Sequence, residues 1–317
     1  MGWRSGGILV LLLLLACLTV TGCVDKPRPA ADRPLVMTSL FPLYDFTRAI
    51  VGERMEVRLL VPPGSEPHHF EPRPDDIAQL TKAALLVYSG PDMEPWVERI
   101  RSNPDLARLV TVQASRGVAL MQVAGTGGHE HDGQRHNGHR VDPHVWLDFG
   151  NAARMVDTIV SAVTERDPAF AAGYRANGDA LKARLQELDQ RYRTGLADCR
   201  SRTLLHGGHY AFGYLAQRYG LQYRAAVGVS ADAEPSPRQL ARLVQEIRGS
   251  GLQAVFSEEL LSPRLAQTLA AETGAQVLQL HGAHTVTRAQ LAEGISFVGL
   301  MDRNLENLRK GLGCKPY

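Results

Sequence analysis

The feature that most limits how this chain can fold is a long apolar stripe in its middle. Leu181, Leu185, Leu188, Tyr192 and Leu196 recur at spacings of four, three, four and four, which places all five along one side of an α-helix. Lys182, Arg184, Glu187, Asp189, Arg191 and Arg193 occupy the other faces. The pattern predicts a helix over about 169–197, opening after Asp167-Pro168. A helix of that length either packs within one body or holds two bodies apart, and the flanking sequence bears on the choice.

Both flanks alternate between strand and helix. In the first half, residues 35–39, 57–61, 85–88 and 109–112 read as strands. Helical segments fall near 46–51, at Pro74-Asp75-Asp76 with Ile77 and Leu80 on one face, and over 93–101. Asn151 opens a further helical stretch to about residue 163. The second half repeats the rhythm, with strands at 203–205, 222–227, 252–256 and 276–280. Between them lie a helix containing 211–219 and two proline-started helices, after Ser236-Pro237 and Ser262-Pro263. Val298, Met301, Leu305 and Leu308 align on a last helix from about 296 to 308. The expected fold class is α/β: two similar α/β lobes with mostly parallel sheets, joined by a long rigid helix. The expected boundaries are 35–167 for the N-terminal lobe, 168–198 for the linking helix and 199–317 for the C-terminal lobe.

Arg4 is the only charge in the first 22 residues, and an apolar run over 8–18 follows it. That run is short for a membrane span and reads as a signal peptide, residues 1–22. Val20-Thr21-Gly22-Cys23 resembles the bacterial lipobox, which implies lipid on Cys23 and an extracytoplasmic, membrane-held or periplasmic protein. Ordinary secretion is the alternative. Residues 23–34, rich in proline, read as a tether. In such a compartment Cys199 and Cys314 are free to form a disulfide, the alternative being two buried thiols. A formal charge of +2 spread over the chain, with no sustained basic stripe, argues against nucleic acid.

The chemistry lies in eleven histidines. His129, His131, His136 and His139 sit in a glycine-rich stretch, residues 125–140, that reads as a long loop, unusual in length unless functional. The others are His68 and His69, His144, His206 and His209, and His281 and His284. Most of these lie at or just beyond predicted strand ends, where open α/β sheets bind their ligands. Neutral imidazoles suit zinc and its neighbours, and three or four of them fill a tetrahedral shell. The chain carries no metalloprotease helix motif, no serine nucleophile elbow and no dinucleotide-binding glycine turn after its first strand. Binding without catalysis is the simpler account. A zinc hydrolase and a metal-bearing adhesion lipoprotein are the rivals.

An ordered series of motifs carries a family resemblance over nearly the whole mature chain. It comprises Val61-Pro62-Pro63-Gly64-Ser65-Glu66-Pro67-His68-His69-Phe70-Glu71-Pro72, then Asp142-Pro143-His144-Val145-Trp146-Leu147-Asp148. His209-Tyr210-Ala211-Phe212-Gly213-Tyr214 follows, with Arg218-Tyr219-Gly220-Leu221, Glu234-Pro235-Ser236-Pro237, Phe256-Ser257-Glu258-Glu259 and Met301-Asp302-Arg303-Asn304-Leu305. The series resembles the solute-binding lipoproteins that serve zinc and manganese ABC importers.

The resemblance implies His68, His144 and His209 as metal ligands, with His206 an ordinary or orienting neighbour. His284 falls nearest the fourth position, with His281 as fallback. Glu66, Asp232, Glu258 and Glu259 are the acids available to orient a ligating imidazole. Nitrogen-rich ligation favours Zn2+ over Mn2+. The implied partners are the membrane permease of the importer and the membrane itself through lipid, with the protein acting as a monomer. The resemblance also implies limited opening between the lobes. The His-rich loop is expected to raise the local ion concentration. Deleting residues 127–140 should therefore slow uptake when zinc is scarce yet leave the tight site intact; loss of that site on titrating the deletion variant would defeat this division of labour.

Overall fold

Short apolar runs flanked by turns give the first sheet. β1 (Leu35–Thr38), α1 (Phe41–Val51), β2 (Glu56–Leu59), α2 (Pro74–Leu80), β3 (Ala83–Tyr88), α3 (Val97–Arg101) and β4 (Val110–Gln113) follow one another. The strands are all parallel, in the order β2-β1-β3-β4. Parallel strands need crossover helices, which cover the sheet faces. Accordingly Val36, Met37, Leu85, Leu86 and Val87 are buried whichever way they point. The computed structural model describes residues 33–123, 140–226, 237–258 and 263–316. Cys23, the four loop histidines, Asp232 and Glu259 lie outside these.

A small antiparallel pair, β5 (Gln122–Val123) with β6 (Arg140–Val141), leads into α4 (Phe149–Arg166) and α5 (Ala171–Gly195). The second lobe then runs β7 (Thr203–His206), α6 (Gly213–Arg218), β8 (Gln222–Ala225), α7 (Pro237–Ser250), β9 (Ala254–Glu258), α8 (Arg264–Thr273), β10 (Gln276–Leu280), α9 (Arg288–Ala292) and α10 (Phe297–Leu312). Its sheet is also parallel, in the order β10-β9-β7-β8. Counted from its own first strand, each lobe reads second, first, third, fourth, so the lobes share one topology.

Several elements depart from their patterns: α3 starts at Val97 rather than residue 93, and β8 ends at Ala225 rather than residue 227. α1 begins at Phe41, with Pro42 in its first turn, rather than near residue 46. β9 covers Ala254–Glu258 instead of 252–256, because Ser257 and Glu258 stay in the ladder opposite Gln279 and Leu280. Apolar content marked the strand centre, but the hydrogen-bonded ladder carries two polar residues to its carboxyl end.

α5 has 25 residues, a length of roughly 38 Å at about 1.5 Å per residue. Leu181, Leu185, Leu188, Tyr192 and Leu196 are buried along it. The helix packs on α1 and α4 from the first lobe and on α10 from the second. Contact with α4 is close at Gly178, where a Cβ would stand 2.5 Å from Val160. Rings continue the packing across the molecule: Phe46 meets Phe297 with centroids 5.1 Å apart, and Phe149 meets Tyr192 at 4.9 Å. One apolar cluster thus includes residues of both lobes, from Val36 to Leu312. Asn177 donates to the Ile50 carbonyl at 2.8 Å, and Tyr192 Oη donates to the Met301 carbonyl at 2.7 Å, fastening the helix to each side.

Cys199, just beyond α5, forms a disulfide with Cys314, just beyond α10. The bridge closes a loop of 115 residues around the second lobe, and cross-links of long loops restrict the unfolded chain most. Replacing both cysteines with serine should cost roughly 2–5 kcal/mol of stability, read as a lower urea midpoint that no longer responds to reductant. An unchanged midpoint would show that the bridge constrains little.

Candidate metal centre

Four turns beyond strand ends converge between the lobes. The first follows β2. Gly64 takes a left-handed φ of 84°, and the chain then enters a one-turn 3-10 helix, Pro67–His69. Glu66 caps that turn by accepting the His68 backbone N–H at 3.1 Å. This acid therefore shapes the turn that carries His68. His69, next along, is exposed.

The second turn follows β6. Asp142 Oδ1 accepts both the backbone N–H of His144, at 3.0 Å, and the ring Nδ1–H, at 2.8 Å. The third turn follows β7 through Gly207 and Gly208. A Cβ at Gly207 would press on the Ala266 backbone at 3.0 Å, and one at Gly208 would meet Glu258 Oε2 at 3.0 Å. Their lack of side chains lets His209 reach Glu258, whose Oε2 accepts from Nδ1 at 2.6 Å. The fourth turn, after β10, carries His281 and His284.

A carboxylate accepts from Nδ1 of both His144 and His209, so the Nε2 atom of each bears a lone pair. These two Nε2 atoms face each other at 3.2 Å. His68 Nε2 lies 3.3 Å from that of His144. Donors around a tetrahedral zinc ion at about 2.0–2.1 Å stand about 3.3 Å apart. The three ring centroids are 5.1–5.4 Å from one another. Two facing lone pairs repel, and a cation placed between them converts the repulsion into coordination. His68, His144 and His209 form a ready triad of nitrogen donors.

His284 stands at the same cluster but farther out, with centroids 5.9–6.2 Å from the other three. Its Nε2 lies 3.6 Å from Glu258 Oε1, close enough for electrostatic attraction but beyond a hydrogen bond, so one carboxylate faces two rings. The fallback residue is placed differently: His281 Nδ1 accepts the Ala283 backbone N–H at 3.0 Å, committing that nitrogen to the turn. His206 is buried at the end of β7 and donates from Nδ1 to the His209 carbonyl at 3.1 Å, supporting the third turn from behind.

The sequence offers Glu66, Asp232, Glu258 and Glu259 as orienting acids. Glu258 faces two rings, Glu66 holds backbone, and Asp232 and Glu259 lie outside the described residues. Asp142 was missed in that role. Its signal was available in Asp142-Pro143-His144, a spacing that lets a carboxylate fold back onto both the N–H and the ring two residues on.

Burial sets the electrostatics. It pushes His68 down to about 3, with His209 and His69 adding repulsion, and drives His144 and His284 well below the ordinary histidine value. His206 falls to about 3 for the same first reason. Burial pushes Asp142 up to about 7 against the hydrogen bond from His144. The rings are therefore neutral and open to a metal near neutral pH.

A family described as "Zinc-uptake complex component A periplasmic" matches residues 36–311. The high-affinity zinc uptake system protein ZnuA of Bacillus subtilis is 34% identical over 315 residues, covering 96% of this chain and 98% of the relative. The zinc-binding lipoprotein AdcA of Streptococcus pneumoniae is 31% identical over 309 residues, covering 96% of this chain and 60% of that longer protein. Among solved structures, the metal-dependent lipoprotein YcdH of Bacillus subtilis superposes with a TM-score of 0.76 at 34% identity, covering 88% of this chain and 99% of the other. The Zn(II)-bound ZnuA-like domain of Streptococcus pneumoniae AdcA gives 0.75 at 30% identity, with the same two coverages.

The depressed histidines fix how the metal-free fold responds to acid. An unfolded histidine takes a proton near pH 6.5, whereas these rings stay neutral in the fold to much lower pH. Below about 6.5 the unfolded chain binds more protons, so stability falls as pH drops toward 3. The buried acids Asp142 and Glu94, each raised to about 7, and Asp45, also raised, act in the opposite sense below about 7, three groups against four histidines. Urea midpoints of the metal-free protein should therefore decline from pH 7 to pH 5, and a midpoint rising over that range would refute the burial of neutral imidazoles.

Proposed function

The chain belongs to the family of periplasmic zinc-uptake components, and from that premise we propose that it binds Zn2+ as cargo outside the cytoplasm and delivers it to the membrane permease of an ABC importer. His68, His144 and His209 bind through Nε2, and His284 completes the shell. The observation that carries this reading is the opposed pair of Nε2 lone pairs on His144 and His209, 3.2 Å apart and each backed by a carboxylate. An all-nitrogen set favours zinc over manganese, which prefers carboxylate and water oxygens. Asp142 and Glu258 stand behind the rings, where two negative charges offset the ion's +2 without entering its shell.

Four imidazoles leave no coordination position for an activated water, so the site captures an ion and performs no hydrolysis. Residues 1–22 act as an export leader, and lipid on Cys23 keeps the protein at the membrane, as the lipoprotein names of several relatives suggest. The site draws all its ligands from one chain, in keeping with a monomer. The His-rich stretch leaves the described fold at Val123 and returns at Arg140, beside the turn that carries His144. Its four histidines gather ions for the tight site.

Elemental analysis of the purified mature protein should find one zinc per chain. Competitive titration should show His144→Ala weakening zinc at least about 100-fold, since it removes both a ligand and the partner of Asp142. A protein that binds no zinc, or whose affinity is untouched by that change, defeats the reading.

A further inference from the structure

The turn that carries His284 belongs by sequence to the second lobe, yet beyond His281 three of its hydrogen bonds go to the first. Asn304 on α10 holds His281 twice, accepting its N–H through Oδ1 and donating to its carbonyl from Nδ2, both at 2.8 Å. Beyond that point the partners change lobe. The Gly282 carbonyl accepts the indole N–H of Trp146 at 2.8 Å. The His284 carbonyl accepts the backbone N–H of Phe41 at 3.3 Å, and Thr285 Oγ1 accepts that of Gly64 at 3.3 Å. Ala283, between these anchors, has φ of 61° and is the non-glycine residue with positive φ among the described residues. An alanine there costs about 1–2 kcal/mol and persists only where its surroundings fix it.

Two of these bonds join ligand turns directly, Gly64 to Thr285 and Trp146 to Gly282, and the one from Trp146 is the shorter. Trp146 is fully buried, two residues after His144, and its ring lies 5.6 Å from that imidazole. We infer that Trp146 is a positioning residue: its N–H fastens the His284 turn to the lobe carrying His68 and His144, so the fourth imidazole is presented to the ion as part of that lobe. With the backbone so held, the His284 ring closes its larger distance by side-chain rotation alone. His209 is then the ligand that joins the first lobe's set from across the cleft. The inference rests on the reading that His284 completes the shell.

The test is a double-mutant cycle on zinc loss to excess chelator, using wild type, Trp146→Phe, His284→Ala and the double variant. Trp146→Phe should speed zinc loss about tenfold, the scale of one buried hydrogen bond. In the His284→Ala background the same change should matter less than about twofold. Equal acceleration in both backgrounds, or none in either, overturns the inference. Because Phe also leaves a void, benzothienylalanine placed at position 146 removes only the N–H donor; it should reproduce the accelerated loss and its dependence on His284, and failure to do so is equally fatal. If wild type binds zinc and His284→Ala releases it no faster, Trp146 has no ligand to position and the inference fails while the triad stands. If wild type binds no zinc, the functional reading fails and carries this one with it.

Discussion

Two imidazoles held nitrogen to nitrogen, with their protons turned outward, cannot satisfy each other. His144 and His209 are in that position because Asp142 and Glu258 accept from their far sides. The surrounding structure is arranged to maintain this unfavourable contact. Glycines at 207 and 208 bring the His209 turn against Glu258, and β9 runs two residues further than its apolar content suggests, which places Glu258 in the cleft. Asp142 is fixed at the start of its own turn by its N–H bond to the Met121 carbonyl. Burial adds to the tension by keeping the rings of His68, His144 and His284 neutral. A cation placed among these lone pairs would turn their repulsion into coordination, and a ligand that binds only the folded form stabilises it.

Such a site requires walls that do not relax. Side chains on two independent domains drift apart when they repel, whereas here α5 packs on helices of both lobes and its tyrosine and asparagine bond to each. The aromatic contacts from Phe46 through Phe297 and Phe149 to Tyr192 cross the same boundary. Rigid packing of this kind resists small displacements, since interiors at crystal-like density have few voids to move into. The spacing of the triad, close to that of a tetrahedral shell, is then a property of the whole fold.

Much of this was legible in the sequence, because it depends on periodicity. The stripe from Leu181 to Leu196 marks the central helix, and buried apolar runs mark most strands of the two lobes. Strand ends were less legible, as at β9, because hydrogen-bond register is decided by the neighbouring strand and not by hydropathy. The ring cluster was legible only through the ordered motifs, since no local pattern brings residues 68, 144, 209 and 284 together. Within it, the orienting role of Asp142 was written in a three-residue spacing and overlooked, while that of Glu258 required knowing where β9 stops. The bonds from Trp146 and Asn304 to the His284 turn had no local signal, because both partners lie far away along the chain.

The apolar cluster running from Val36 to Leu312 crosses both lobes, beside a smaller cluster within each, and it also governs how the molecule comes apart. Two lobes of matching topology suggest two melting units, each able to persist without the other. With that cluster shared through α5, each lobe uncovers apolar surface once its companion is lost. Thermal opening of one lobe therefore weakens the other, and a protease acting on the native protein finds no half-molecule of undiminished stability to leave behind.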